Sequence, residues 1–184
     1  MKQWMTWIAI FLLSIIGLAL LLVVMGFRIN LTDSIPVGLY RIKVIKRVEN
    51  IKQTYVIFCP DDKPVFQQAR DRGYIDHGLC PGGYGYLMKK VVATPGDKVS
   101  VTGAGVFVNQ TLIPFSIPKA RDGVNRTLPQ WHALNYQLKD DEFITMTNQS
   151  VWSFDSRYYG LVRLSQIKGV ITPVWIKTKN MPQR

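Results

Sequence analysis

The chain has 184 residues, enough for one domain with its own core, and a formal net charge of +11. The charge raises a nucleic-acid reading, but the basic residues are spread out with no run of five. Neither zinc-ligand spacing nor an RRM-type aromatic motif accompanies them, so no nucleic-acid partner is expected, and attraction to anionic lipid headgroups accounts for the charge more simply.

Met1 to Phe27 is nearly unbroken in apolar character, and Trp4 to Phe27 carries no charge. At about 1.5 Å per residue the stretch spans the roughly 30 Å hydrocarbon core of a bilayer. Trp4 and Trp7 suit one interface and Phe27-Arg28 the other. A cleaved signal peptide has an apolar core of about 7–15 residues before a small-x-small site. This run is longer, and Val24-Met25-Gly26-Phe27 is a poor cleavage site. A retained anchor over 1–27 is expected, with 28–184 as the domain behind it. Lys2 favours a cytoplasmic N-terminus. Arg28, Arg41, Lys43, Lys46 and Arg47 argue the opposite, an objection weakened because long domains translocate largely regardless of charge.

The rest reads as β-rich. Gly38 to Ile45 alternates apolar and polar residues like a half-buried strand. Tyr55–Phe58 and Tyr86–Ala93 are strand candidates, the second stopped by Pro95-Gly96. Lys98–Val101 and Gly105–Val108 form a hairpin pair. Phe143–Met146, Val151–Phe154 and Val170–Ile176 follow as strands. Val65–Arg70 is a short helix. Residues 114–141, rich in Pro, Asn, Asp and Arg, read as a surface excursion.

Cys59 and Cys80 flank a polar, turn-rich stretch that could not hold itself together by apolar burial. They are either two buried thiols or, as favoured here, a disulfide. Such a bridge closes a loop of about 22 residues and is worth roughly 3 kcal/mol. It implies an oxidising compartment such as a periplasm.

Ser34 lies a few residues past the anchor, in Thr32-Asp33-Ser34-Ile35-Pro36. A serine hydroxyl is a weak nucleophile until a base takes its proton. His77 sits in the polar cysteine loop and His132 in the irregular excursion; neither follows a strand motif, and nothing in the sequence supports a Ser-His-Asp arrangement. Lysine can replace histidine if apolar burial lowers its pKa. Lys89 lies in the apolar strand candidate Tyr86–Ala93, among Met88, Val91 and Val92. On a pleated strand Lys89 and Lys90 point to opposite faces, so one can be buried while the other stays in solvent. The alternative is two surface lysines on an edge strand.

These residues resemble the signal peptidase I family (peptidase family S26). Lys89-Lys90-Val91-Val92-Ala93-Thr94-Pro95-Gly96-Asp97 is similar to its lysine box. Thr32-Asp33-Ser34-Ile35-Pro36 resembles its serine box. Ser153-Phe154-Asp155-Ser156-Arg157-Tyr158-Tyr159-Gly160 resembles the third box, Ser-x-Asp-Ser-Arg-Tyr-x-Gly. Asn30-x-Thr32-x-Ser34-x-Pro36-x-Gly38-x-Tyr40, Cys59-Pro60 and Cys80-Pro81-Gly82-Gly83 are similar to the conjugative-transfer signal peptidases of TraF type. General secretory members carry Gly-Asp-Asn-Arg upstream of the third box, where this chain has Thr147-Asn148-Gln149-Ser150.

The resemblance implies a mainly β fold: an antiparallel domain, a partly open barrel, behind one N-terminal transmembrane helix. It implies a serine endopeptidase with Ser34 as nucleophile and Lys89 as general base, and neither cofactor nor metal. Thr32 and the Ser34 backbone N–H would form the oxyanion hole. One such donor is worth about 2.7–4 kcal/mol in the transition state. Ser153 would orient the lysine, with Asp155 and Arg157 as a supporting ion pair on one strand face. Tyr158 and Tyr159 read as core, and Asp97 as serving the turn after Pro95-Gly96. The implied partners are the lipid bilayer and a membrane-tethered precursor, such as a pilin of a conjugative transfer system. The implied location is a bacterial inner membrane with the catalytic domain in the periplasm. The rival readings are a general leader peptidase and a non-catalytic, anchored assembly factor.

Overall fold

The computed structural model describes residues 2–44, 51–147 and 149–177. Ile45, Lys46, Arg47 and Asn148, used above, lie outside the described residues. The first element, α1 (Lys2–Val24), follows from composition. An 18-residue window within Gln3–Val24 has mean hydropathy 3.0, and none of it is buried against the rest of the protein. The helix is long and apolar enough to cross a membrane. It stops before Gly26, whose φ of 87° is costly for any residue with a Cβ. Arg28 Nη1 donates to the Val23 carbonyl at 2.9 Å, satisfying an acceptor the helix end leaves open. Phe27, expected at the end of the anchor, instead opens β1 (Phe27–Asn30).

β1 pairs antiparallel with β2 (Gly38–Lys43), and the loop 31–37 between them carries Ser34. The main sheet also holds β3 (Tyr55–Phe58), β5 (Leu87–Ala93), β10 (Glu142–Met146), β11 (Val162–Arg163) and β12 (Ile167–Ile176). Its order is β1-β2-β12-β3-β5-β10-β11, antiparallel throughout. β1 and β11 are its edges, so the sheet stays open and is not a closed barrel. A second sheet, β8-β7-β6-β9, is built from β6 (Lys98–Thr102), β7 (Gly105–Val108), β8 (Thr111–Leu112) and β9 (Ala133–Gln137).

Three apolar clusters hold these layers. Val99 and Val101 alternate with Lys98, Ser100 and Thr102, the period of two that a strand requires. They pack with Val106 and Val108 against Val92, Ala93, Ile144 and Met146, joining the two sheets. An aromatic cluster, including Phe58, Phe66, Phe154 and Tyr159, packs α2 (Pro64–Asp71) and α3 (Ser156–Tyr159) on the main sheet. α2 starts with Pro at its first position and buries Phe66 and Ala69 on one face. The smallest cluster, Ile35, Tyr40, Ile57 and Ile171, lies under the Ser34 loop. Burying a side chain such as Ile35 contributes about 1.5–3 kcal/mol, which fixes the loop to the sheet.

Cys59 and Cys80 form a disulfide, tying the end of β3 to the end of β4 (His77–Cys80) around α2. Tyr158 and Tyr159 lie in the core. Asp97 Oδ2 accepts the Thr94 N–H at 2.8 Å across the Pro95-Gly96 turn.

Three expectations need correction. Val151–Phe154 is a turn and not a strand. The β5–β10 ladder ends at the pair Lys90 and Met146, and the carbonyls of Val151 and Ser153 are taken by Arg157. Asp155 and Arg157 therefore do not share a strand face: Asp155 caps α3 and Arg157 sits inside it. Residues 114–141 are more than a surface excursion, because β9 completes the second sheet beside β6 and Leu138 enters its core.

Candidate active site

Ser34 stands in the turn between β1 and β2, half-buried, with its loop pinned from below. Ile35 is fully buried, and Tyr40 donates its hydroxyl hydrogen to the Pro36 carbonyl at 2.6 Å. Burial, with Tyr55 beside it, pushes the Tyr40 pKa up to about 12, so the donor is kept. Gly38 ends the loop where β2 and β12 approach closely. A Cβ there would run into the Trp175 carbonyl.

Lys89 is the third residue of β5. Leu87, Lys89 and Val91 are buried, while Met88 and Lys90 are only half-buried. The sheet thus separates the two lysines, and Lys89 is 3% exposed. Its Nζ lies 2.5 Å from Ser34 Oγ and 3.0 Å from Ser153 Oγ, and the two hydroxyls are 3.4 Å apart. Among the described residues no carboxylate pairs with it. Desolvation lowers its pKa to about 8, partly opposed by the Asp155 charge and reinforced by Arg157. An amine with that pKa is neutral in about a tenth of the molecules at pH 7 and in about half at pH 8, as a working base requires.

Ser153 is placed from behind by a fully buried ion pair. Arg157 Nε and Nη2 each donate to Asp155 at 2.8 Å. The same guanidinium donates to the carbonyls of Ser153 at 2.9 Å, Phe115 at 3.1 Å, Ile117 at 3.3 Å and Val151 at 3.5 Å. One cation therefore gathers the third box, α3 and the start of the 114–141 segment. The chain of contacts runs Asp155, Arg157, Ser153, Lys89, Ser34.

Thr32 is exposed on the same loop. Its hydroxyl donates to Asn30 Oδ1 at 2.9 Å. His77 and His132 are exposed, and neither lines the cavity at Ser34. Among the described residues no group of three His, Cys, Asp or Glu is placed to hold a metal.

The cavity at Ser34 measures about 420 Å³ and is bordered by Thr32, Lys89, Ser153, Tyr74, Asp122 and Trp152 among others. Tyr74 and Asp122 were not anticipated. Tyr74 follows α2 inside the disulfide loop and donates its hydroxyl to Asp122 Oδ2 at 2.5 Å. Desolvation would raise the Asp122 pKa, but hydrogen bonds from Tyr74, Arg126 and Val124 outweigh it and hold the carboxyl below its usual range. The stapled loop and the 114–141 segment meet here as the far wall of the cleft. Asn30 was also missed as a site residue. The sequence carried it only as the first residue of Asn30-x-Thr32-x-Ser34-x-Pro36-x-Gly38-x-Tyr40, with no role attached. On the near side of the cleft, the β5 ladder to β10 reaches only Lys90. Leu87 to Lys89 therefore have no strand partner on that side among the described residues.

Residues 1–176 match the family described as signal peptidase, peptidase S26. The chain is 48% identical over 149 residues to a plasmid transfer protein TraF of Escherichia coli, covering 81% of this chain and 82% of that protein. It is 36% identical over 149 residues to a probable conjugal transfer protein TraF of Sinorhizobium fredii, covering 81% and 77%. A crystal structure of a signal peptidase I from Enterococcus faecalis V583 is a distant likeness, with a TM-score of 0.38 and 16% identity. It covers 71% of this chain and 100% of that one.

Proposed function

The chain belongs to the signal peptidase, peptidase S26, family, and from that premise we propose that it is a membrane-anchored serine endopeptidase working through a Ser34–Lys89 dyad. The observation that carries the reading is a buried amine with a lowered pKa, 2.5 Å from a serine hydroxyl that opens onto a cleft. Perturbed titration combined with nucleophile geometry is what such catalysis needs.

In this reading neutral Lys89 takes the Ser34 proton as Oγ attacks the scissile carbonyl carbon. The developing oxyanion is received by the Ser34 backbone N–H and the Thr32 hydroxyl, which must first turn away from Asn30. As the tetrahedral intermediate collapses, the lysine ammonium gives its proton to the leaving amine and an acyl-enzyme remains. A water, deprotonated by Lys89, attacks the ester and returns Ser34. Asp155 and Arg157 take no proton; they hold Ser153, and Ser153 orients Lys89.

The substrate we propose is an exported, membrane-tethered precursor of a conjugative transfer system, such as a pilin. The similarity to proteins named for plasmid and conjugal transfer supports this. The peptide would add as a strand along the unpaired side of Leu87–Lys89. The apolar helix α1 and the disulfide support an inner-membrane anchor with the catalytic domain in the periplasm. If an amine attacked the acyl-enzyme instead of water, the product would be cyclic.

The testing experiment compares wild type, Ser34→Ala and Lys89→Ala on a transfer-pilin precursor by mass spectrometry. Loss of the leader with wild type alone is expected, and a further loss of one water would identify cyclisation. Processing by either variant would sink the dyad.

A further inference from the structure

Asn30 is the last residue of β1, 5% exposed, and its amide is spent on the loop that carries Ser34. Nδ2 donates to the carbonyls of Thr32 at 2.8 Å, Ile35 at 2.9 Å and Pro36 at 3.2 Å. Oδ1 accepts the Thr32 hydroxyl at 2.9 Å and the Thr32 N–H at 3.3 Å. The side chain therefore grips the loop on both sides of the serine. An Asn that merely ended a strand would reach a backbone N–H two residues on, as in an Asx-turn. The bonds to Ile35 and Pro36, beyond Ser34, are not needed for such a turn.

Those bonds settle two geometries at once. They force the 31–37 loop to curl around one amide, which fixes the height of Ser34 Oγ above Lys89. They also hold Thr32 beside Ser34, with its hydroxyl hydrogen resting on Asn30 Oδ1. When an oxyanion forms, that hydrogen can rotate to it while the Thr32 N–H stays on Oδ1, so the residue need not move.

We infer that Asn30 is a positioning residue for the reaction: its amide sets where the nucleophile Ser34 and the donor Thr32 stand relative to Lys89. The inference rests on the serine-lysine reading of the site. The side-chain hydrogen bonds of Asn30 go to Thr32, Ile35 and Pro36 and those of Lys89 to Ser34 and Ser153, so Asn30 acts through the loop.

The test uses the full chain in vesicles of phosphatidylethanolamine and phosphatidylglycerol. The probe is a synthetic precursor with an apolar segment followed by Ala-x-Ala. Asn30→Asp keeps the size and the acceptor for Thr32 but replaces the donors. Asn30→Ser leaves one short hydroxyl in place of the amide's two N–H donors, with less repulsion, and serves if Asn30→Asp does not fold. A displaced nucleophile costs on the order of a hundredfold in kcat with KM within about twofold, since binding groups are untouched. For Asn30→Ser the pH midpoint stays where Lys89 sets it. Amide hydrogen exchange should loosen in residues 31–37 and nowhere else. Wild-type kcat in the folded variant would overturn the inference while leaving the dyad intact. Exchange that rises throughout the domain would overturn it too, by showing an ordinary structural residue. If wild type itself fails to cleave, the serine reading fails first and the inference falls with it.

Discussion

Lys89 is a buried cation whose nearest partners are two neutral hydroxyls. That arrangement is unfavourable for the charged form, and the protein's use of it is the centre of the proposed chemistry. Cleavage should rise with pH as Lys89 loses its proton, with a midpoint near 8 in a kcat/KM profile. The same shift has a consequence for stability. The folded pKa of about 8 lies below the ordinary 10.5, so between those values the unfolded chain binds more protons and stability rises with pH. Lys89→Met should therefore be inactive yet more stable at pH 7 by about 1–3 kcal/mol in denaturant unfolding. Its advantage over wild type should shrink as pH approaches 10.5. An equal or lower stability at pH 7 would mean that Ser34 and Ser153 fully compensate the charge. Strand alternation separated Lys89 from Lys90 but left open which is buried; the resemblance of Lys89-to-Asp97 to the lysine box picked out Lys89. Asn30 was not, because its partners are mainly backbone carbonyls that converge only once the 31–37 loop has folded.

At the level of elements, the period-two strands and α2 could be read directly, since apolar alternation and a leading Pro report local structure. Val151–Phe154 could not, although its apolar residues resemble a strand. Its carbonyls go to the Arg157 side chain, four and six residues on, a pairing that apolar alternation does not report. The same guanidinium decides how much the third box matters. Arg157→Met would strand a fully buried Asp155 and four carbonyls, a loss of about 3–5 kcal/mol in unfolding free energy. Processing should fall with it, because Ser153 loses its brace behind Lys89. Asp155→Asn keeps the shape and should cost less. The disulfide makes a separate prediction. Cys59→Ser with Cys80→Ser should lower stability by about 2–4 kcal/mol. It should also loosen the Tyr74–Asp122 wall, seen as a raised KM with the pH midpoint unchanged. A variant matching wild type in both would show that the aromatic cluster alone holds the stapled loop.

Across the whole molecule, the short path from α1 through β1 to the 31–37 loop keeps Ser34 close to the end of the apolar helix. Under the proposed function, a site so tethered would meet a membrane-held precursor at a nearly fixed height, which would act as a raised effective concentration. A chain beginning at residue 25 should cleave a soluble peptide with unchanged kcat but lose its preference for the same peptide anchored in vesicles. Equal preference would place substrate choice in the cleft alone. The most direct test of the account is single-turnover mass spectrometry of a transfer-pilin precursor with wild type, Ser34→Ala and Lys89→Ala in matched vesicles. A leader-free product and a transient mass on Ser34 are expected with wild type, and intact precursor with both variants, each folded and inserted. Processing by folded Lys89→Ala, or an acyl group on any residue other than Ser34, would contradict it.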